Sequence, residues 1–83
     1  MKIPDESHQR KQFLDLLKKV RQEKGLRQIE LADKLGVPQS FVSKYEAGNR
    51  RLDLLELRQI CLILGISLEG LVQELEKCLN EAK

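Results

Sequence analysis

The 83-residue chain fits one small domain, and its 41% hydrophobic and 34% charged residues argue against a disordered protein. Its apolar runs are shorter than the roughly 20 residues of a membrane span, and its first dozen residues are too polar for a signal peptide, so we expect a cytoplasmic protein with no membrane partner. The net charge of +2 hides an asymmetry, because residues 10–51 carry a balance of +6 and residues 52–83 a balance of −3. Such a distribution suits a polyanionic partner on one side of the protein.

Apolar residues recur at helical spacing along the chain, and no segment alternates with a period of two. Together with glycines that stop helices, this spacing predicts five helices over residues 7–24, 28–35, 39–47, 53–64 and 68–81. We therefore predict an all-α, compact single domain over residues 7–83, preceded by a flexible tail over residues 1–6. Asp53 and Glu56 have capping-box spacing at the start of the fourth helix, and Ser67 is a suitable N-cap for the fifth.

The fourth helix is apolar on nearly every side, so we expect it at the centre of the domain. It contains Cys61, and Cys78 lies in the apolar pattern of the fifth helix; we expect both thiols to be reduced and buried. There is no Cys-x-x-Cys pair and no Cys/His cluster, and His8 stands alone. We accordingly expect no metal, no cofactor, no catalytic residues and no enzymatic activity.

The stretch LGVPQSFVSKYEAG, residues 35–48, divides into two faces when it is projected on a helix. The apolar face, between about 200° and 300°, holds Phe41, Val42 and Tyr45 and must be buried. The opposite face, between about 0° and 140°, is polar. It comprises Gln39, Ser40, Ser43 and Lys44. Most polar faces are merely solvated, but amides and hydroxyls that both donate and accept hydrogen bonds can also read the edges of bases.

The second and third helices are joined by the short segment Gly-Val-Pro, which suits two short helices that cross steeply as a helix-turn-helix. We expect the small Ala32 where these helices cross and a positive φ at Gly36 in the turn. The sequence GLRQIELADKLGVPQSFVSKYEAGNR resembles the phage lambda repressor and Cro family, also called the xenobiotic-response-element (XRE) type. The resemblance covers about residues 13–72, with the helix-turn-helix at 28–47.

The resemblance implies a lambda-repressor-like fold and a sequence-specific transcriptional regulator of double-stranded DNA, acting as a dimeric repressor on a pseudo-palindromic operator. The third helix would enter the major groove, and Gln39, Ser40, Ser43 and Lys44 match family positions that meet base edges or adjacent phosphates. The implied phosphate contacts are Gln28, Arg27, Asn49, Arg50 and Arg51. The alternatives are a simple helix-start role for Gln28 and solvated loop charge for Arg50 and Arg51.

The resemblance also implies an ion pair between Arg21 and Glu46 that orients the motif. Two positions depart from the family pattern. Arg27 stands where the family has a capping Thr or Ser, and Pro38 stands where the third helix usually has its cap, which leaves the first residue of that helix open. Phe41 is also open, because its ring could pack inward or touch a thymine methyl group.

The fifth helix carries an apolar stripe that is longer than the core requires, so residues 67–82 are a candidate dimerisation helix. The interface residues we expect are Leu75, Cys78, Leu79 and Ala82. The alternative is a frayed helix end on a monomer. Other readings of the whole chain are an antitoxin with a toxin or another protein as partner, a restriction–modification controller, and a protein-interaction module without DNA binding; the +6 balance argues against the last.

Overall fold

The computed structural model describes residues 7–81, which form five α-helices and no strand. The helices are α1 (Ser7–Glu23), α2 (Gln28–Leu35), α3 (Gln39–Glu46), α4 (Leu54–Leu64) and α5 (Leu68–Glu81). The all-α, five-helix prediction is therefore confirmed. The helix boundaries agree with the expected ones to within one residue, because the glycine stops and capping residues are local signals.

Local hydrogen bonds explain where the helices begin and end. Asp53 and Glu56 form a full capping box at α4: Asp53 Oδ1 accepts from the Glu56 N–H at 2.7 Å, and Glu56 Oε1 accepts from the Asp53 N–H at 3.0 Å. Ser67 Oγ accepts from the Gly70 N–H at 2.9 Å at the start of α5. Gly36 ends α2 at φ +73°, a left-handed conformation that lets the chain turn directly into α3.

One core joins all five helices. α2 packs on α3 and α4, while α1 packs on α3 and α5, and α4 packs on α5. Every helix contributes at least one buried side chain, and Ala32 is 1% exposed in α2, as the crossing of α2 and α3 requires. The largest fully buried side chains are Tyr45, Leu17, Leu31, Ile60, Leu64, Val42 and Cys61.

The expectation that α4 is central is wrong for one of its sides, which is exposed to solvent. Ile60, Cys61 and Leu64 are buried, but Leu54, Leu55 and Leu62 are 65%, 73% and 56% exposed. The other four helices do not surround the 11-residue α4 completely, because a chain of this size has too little structure to cover a second face. α4 therefore presents an apolar surface to solvent.

Among residues 7–81 no helix combines the length and the apolar character needed to cross a membrane. Over the same residues, no three His, Cys, Asp or Glu side chains lie together in a way that could hold a metal ion.

Candidate nucleic-acid interface

The two faces expected for α3 are both present in the structure. Val42 and Tyr45 are fully buried on one side. On the other side Gln39, Ser40 and Lys44 are exposed. Ser43 is half-buried, and its hydroxyl donates to the Ser40 carbonyl at 3.3 Å. We call Gln39, Ser40, Ser43 and Lys44 the polar face of α3.

The structure resolves where α3 begins. Pro38 is the N-cap, with φ −64° and ψ 153°, and Gln39 is the first helical residue. The Phe41 N–H donates to the Pro38 carbonyl at 3.0 Å, which closes the first turn without a capping side chain. Gln39 therefore lies at the exposed N-terminal end of α3, next to Ser40.

A buried ion pair attaches the C-terminal end of α3 to α1. Arg21 donates from Nε to Glu46 Oε2 at 2.7 Å and from Nη2 to Glu46 Oε1 at 2.9 Å, and the two side chains are only 7% and 3% exposed. Arg21 Nη1 also donates to the Leu26 carbonyl at 2.7 Å. The hydrogen bond to Glu46 raises the pKa of Arg21 above its ordinary value despite the opposing effect of burial. Such a two-pronged pair fixes the direction of α3 as well as its distance from α1.

Gln28 belongs to the same network. Its amide nitrogen donates to Glu46 Oε1 at 3.0 Å, so the first residue of α2 is tied to the last residue of α3. A simple helix-start role does not fully describe Gln28, because its side chain also bonds Glu46 at the end of α3. The contact still leaves Gln28 at the N-terminus of α2, where a phosphate contact was expected, and leaves one amide hydrogen for a further acceptor.

Arg27 precedes α2 and does not cap it, because a guanidinium has no acceptor atom. Only the other half of the capping box forms, with Glu30 Oε1 accepting from the Arg27 N–H at 2.9 Å and from Arg27 Nε at 3.1 Å. The hydrogen bond from the Arg27 backbone, and to a smaller extent the one from its side chain, hold the pKa of Glu30 below its ordinary value. The Arg27 side chain is 78% exposed, and α2 begins with backbone N–H groups that no capping side chain covers.

The loop after α3 holds the other three expected phosphate contacts. Asn49 and Arg51 are exposed. Arg50 is bound within the chain: it pairs with Glu56 at 2.8 Å, and its guanidinium carbon lies 4.1 Å from the centre of the Phe41 ring. Sequence reasoning missed this arrangement, although the Asp53/Glu56 capping box had already placed the Glu56 carboxylate close to the loop.

Phe41 packs inward. Its ring is half-buried against the core and meets the Tyr45 ring edge-on, with centroids 6.0 Å apart and an interplanar angle of 76°. Arg50 covers part of the remaining ring surface. In this position Phe41 supports α3 from the core side, which favours the inward-packing alternative over a thymine contact.

The expected dimer residues are less exposed than the apolar stripe suggested. Leu75, Cys78 and Leu79 are half-buried, which also corrects the expectation that Cys78 is buried, while Ala82 lies outside the described residues. The stripe is partly covered because α5 packs on α1. Val72, on the same side of α5, is 46% exposed.

Comparison with known proteins agrees with this geometry. A helix-turn-helix family model matches residues 17–71. The chain is 41% identical over 61 residues to the uncharacterized HTH-type transcriptional regulator YqaE of Bacillus subtilis (strain 168), a match that covers 74% of this chain and 53% of YqaE. The chain thus spans about half the length of that relative.

Two solved structures share the fold. The XRE-family-like protein from Pseudomonas syringae pv. tomato str. DC3000 has a TM-score of 0.80 and 42% identity, over 86% of this chain and 87% of that one. A point mutant of the restriction–modification controller protein C.Esp1396I has a TM-score of 0.84 and 29% identity, over 95% and 100% of the two chains. With the family model and these relatives in agreement, the chain belongs to the lambda repressor and Cro type, or XRE family, of helix-turn-helix DNA-binding transcriptional regulators.

Proposed function

We propose that the protein is a cytoplasmic, dimeric repressor that reads double-stranded operator DNA with the polar face of α3 in the major groove. The observation that carries this proposal is that Gln39, Ser40 and Lys44 are exposed on one side of a helix whose other side holds two fully buried side chains, Val42 and Tyr45. The Arg21–Glu46 pair anchors that helix, so its side chains can be presented to base edges in a fixed orientation. An amide can bond adenine N6 and N7 together, and Lys can bond guanine O6 and N7.

Phosphate contacts are available beside α3. The N-terminus of α2 has uncapped backbone N–H groups, and the Gln28–Glu46 bond places this end of α2 next to the end of α3. We assign phosphate binding to Gln28 and Arg27 at this terminus and to Asn49 and Arg51 in the loop after α3. These groups position the protein on the duplex, while the polar face of α3 specifies the sequence.

Dimerisation is supported by exposed apolar surface on α4 and α5. Val72, Leu75 and Leu79 are spaced so that they share one side of α5. Leu62 of α4 and Leu68 of α5 line one surface depression, so the exposed side of α4 continues into the start of α5. A contiguous apolar surface of this kind marks an interaction site, and a second copy suits a twofold-symmetric operator.

Base reading is tested on a duplex selected from random DNA and on an unselected duplex. Gln39→Ala and Lys44→Ala should each cost about 1–3 kcal/mol on the selected duplex, with a smaller effect on the unselected one, whose binding depends on charge. Lys77→Ala, which removes a positive charge from α5, is the control and should leave the ratio of the two affinities unchanged. If the α3 variants also leave that ratio unchanged, α3 is not the reading helix.

Salt dependence separates DNA binding from a protein-interaction role. A dimer with about six or more phosphate contacts should lose roughly 10³-fold in affinity between about 50 and 200 mM salt. A flat response over this range would favour the protein-interaction module.

The dimer surface is tested by Val72→Glu, because Val72 is 46% exposed and is not among the buried core residues. We expect a folded monomer by sedimentation, with wild-type helix content and much weaker operator binding. Gln73→Glu adds the same charge at the neighbouring exposed position and should remain a dimer. A wild-type protein that is already monomeric at micromolar concentration would contradict the proposal.

A second candidate function is the control of a restriction–modification operon, favoured by the similarity to the controller protein C.Esp1396I along 95% of this chain. An antitoxin is the corresponding alternative with a toxin as protein partner. The gene beside the coding sequence distinguishes these cases, since a methyltransferase or endonuclease gene supports the controller and a toxin gene the antitoxin.

A further inference from the structure

Arg50 makes three hydrogen bonds and one aromatic-ring contact within residues 7–81. Its Nη2 donates to Glu56 Oε2 at 2.8 Å, and its Nη1 donates both to Glu56 Oε1 at 3.2 Å and to the Arg51 carbonyl at 2.7 Å. The carbon of the same guanidinium lies over the Phe41 ring, 4.1 Å from its centroid. The side chain is therefore held both by hydrogen bonds and by a cation–π contact.

These contacts connect three separate parts of the protein. Phe41 lies in α3, Arg51 in the following loop and Glu56 in the first turn of α4. Phe41 is connected to the core through its edge-on contact with the Tyr45 ring. Glu56 also accepts a hydrogen bond from the N–H of Asp53, the N-cap of α4. A movement that separates Phe41 from Glu56 would break the contacts of Arg50 with one of them.

The charge of Arg50 is largely compensated where it lies. The hydrogen bond from Arg50 holds the pKa of Glu56 below its ordinary value, and that bond also raises the pKa of Arg50. A cation that is already paired with a carboxylate neutralises little phosphate charge and releases few counterions from DNA. The pair therefore suits a structural role better than a phosphate contact.

We propose that Arg50 is a positioning residue that sets the orientation of α3 on α4 by bridging Phe41 and Glu56, and that it is not one of the phosphate contacts. This inference rests on the proposed function, because the orientation matters only if α3 reads DNA. The bridge needs a planar, forked cation, which Lys cannot replace although it carries the same charge.

The test compares Arg50→Ala, Arg50→Lys and Arg51→Ala on the selected and unselected duplexes over a series of salt concentrations. We expect Arg50→Ala to weaken binding to the selected duplex by about tenfold, the scale of one lost base contact, with an unchanged salt slope. Arg50→Lys should show most of the same loss. Arg51→Ala, the charge-matched control, should lower the salt slope by about one and weaken both duplexes alike.

Glu56→Gln gives the sharpest contrast, because Gln can still accept the Asp53 N–H but no longer pairs with the Arg50 charge. If Arg50 positions α3, this variant weakens selected-duplex binding as Arg50→Ala does, although it removes a negative charge. Tighter binding by Glu56→Gln, wild-type binding by Arg50→Lys, or a salt slope lowered by about one in Arg50→Ala would each overturn the inference.

The wild-type protein reports the proposed function separately, since a failure to prefer the selected duplex refutes base reading before any variant is compared. The interaction between Arg50 and Glu56 is then tested in the absence of DNA by thermal unfolding. Arg50→Ala and Glu56→Gln should lower the unfolding midpoint by amounts that are not additive in the double variant, because both remove one interaction. Additive shifts would show that the two residues do not act together.

Discussion

Replacing Glu46 by alanine removes the carboxylate on which α1, α2 and α3 converge. Three donors lose their acceptor: Arg21 Nε at 2.7 Å, Arg21 Nη2 at 2.9 Å and Gln28 Nε2 at 3.0 Å. Arg21 keeps only its bond to the Leu26 carbonyl among these contacts, and its side chain is only 7% exposed in the wild-type fold. The variant thus leaves a guanidinium inside the protein without its counter-charge.

The expected cost follows from burial. Removal of one partner from a buried ion pair costs about 3–5 kcal/mol, mainly because the remaining charge stays desolvated. In a domain of this size each kcal/mol lowers the unfolding midpoint by about 4–8 °C, so even the lower limit corresponds to roughly 12–24 °C. Total stabilities of about 5–15 kcal/mol leave little margin for such a loss.

Thermal unfolding followed by circular dichroism measures the effect. Lys11→Ala is the matched control, because Lys11 and Asp15 are also 2.9 Å apart but are 75% and 63% exposed. That surface pair should be worth about 0.5 kcal/mol or less. The double variant Arg21→Met/Glu46→Leu should recover much of the lost stability, since no isolated charge remains. If Glu46→Ala lowers the midpoint no more than Lys11→Ala does, the reasoning from burial is refuted.

Three further predictions concern other sites. Gly36→Ala should cost about 1–2 kcal/mol in chemical unfolding from its φ of +73° alone, because no atom lies within 4 Å of the added Cβ; an unchanged midpoint would show that the turn relaxes. Tyr45→Phe should be neutral or stabilising in the same assay, since the buried Tyr45 hydroxyl makes no hydrogen bond within residues 7–81, and a large loss would reveal a hidden partner. Cys78 should react with a thiol reagent before Cys61, whose burial raises its pKa; faster labelling of Cys61 by mass spectrometry would contradict this order.

The helices and their order could be predicted from the sequence because their signals are local. Glycine stops, the Asp53/Glu56 box and Ser67 act within a few residues of the ends they define. The apolar and polar sides of α3 also follow from spacing alone, since a helix places every fourth residue on one side. The candidate reading residues were therefore visible before any tertiary contact was known.

The tertiary structure alone decided how Gln28 and Arg50 are held by contacts across the fold. Both were equal candidates for phosphate contacts in the sequence, yet Gln28 bonds Glu46, which lies 18 residues away, and Arg50 bridges two helices. Similarly, the pattern of apolar residues in α4 and α5 did not reveal that Leu62 is exposed and that Leu75 is half-buried. The physical reason is that burial and pairing depend on which elements meet across the fold, and hydrogen bonds and packing between distant residues leave no periodic trace in the sequence.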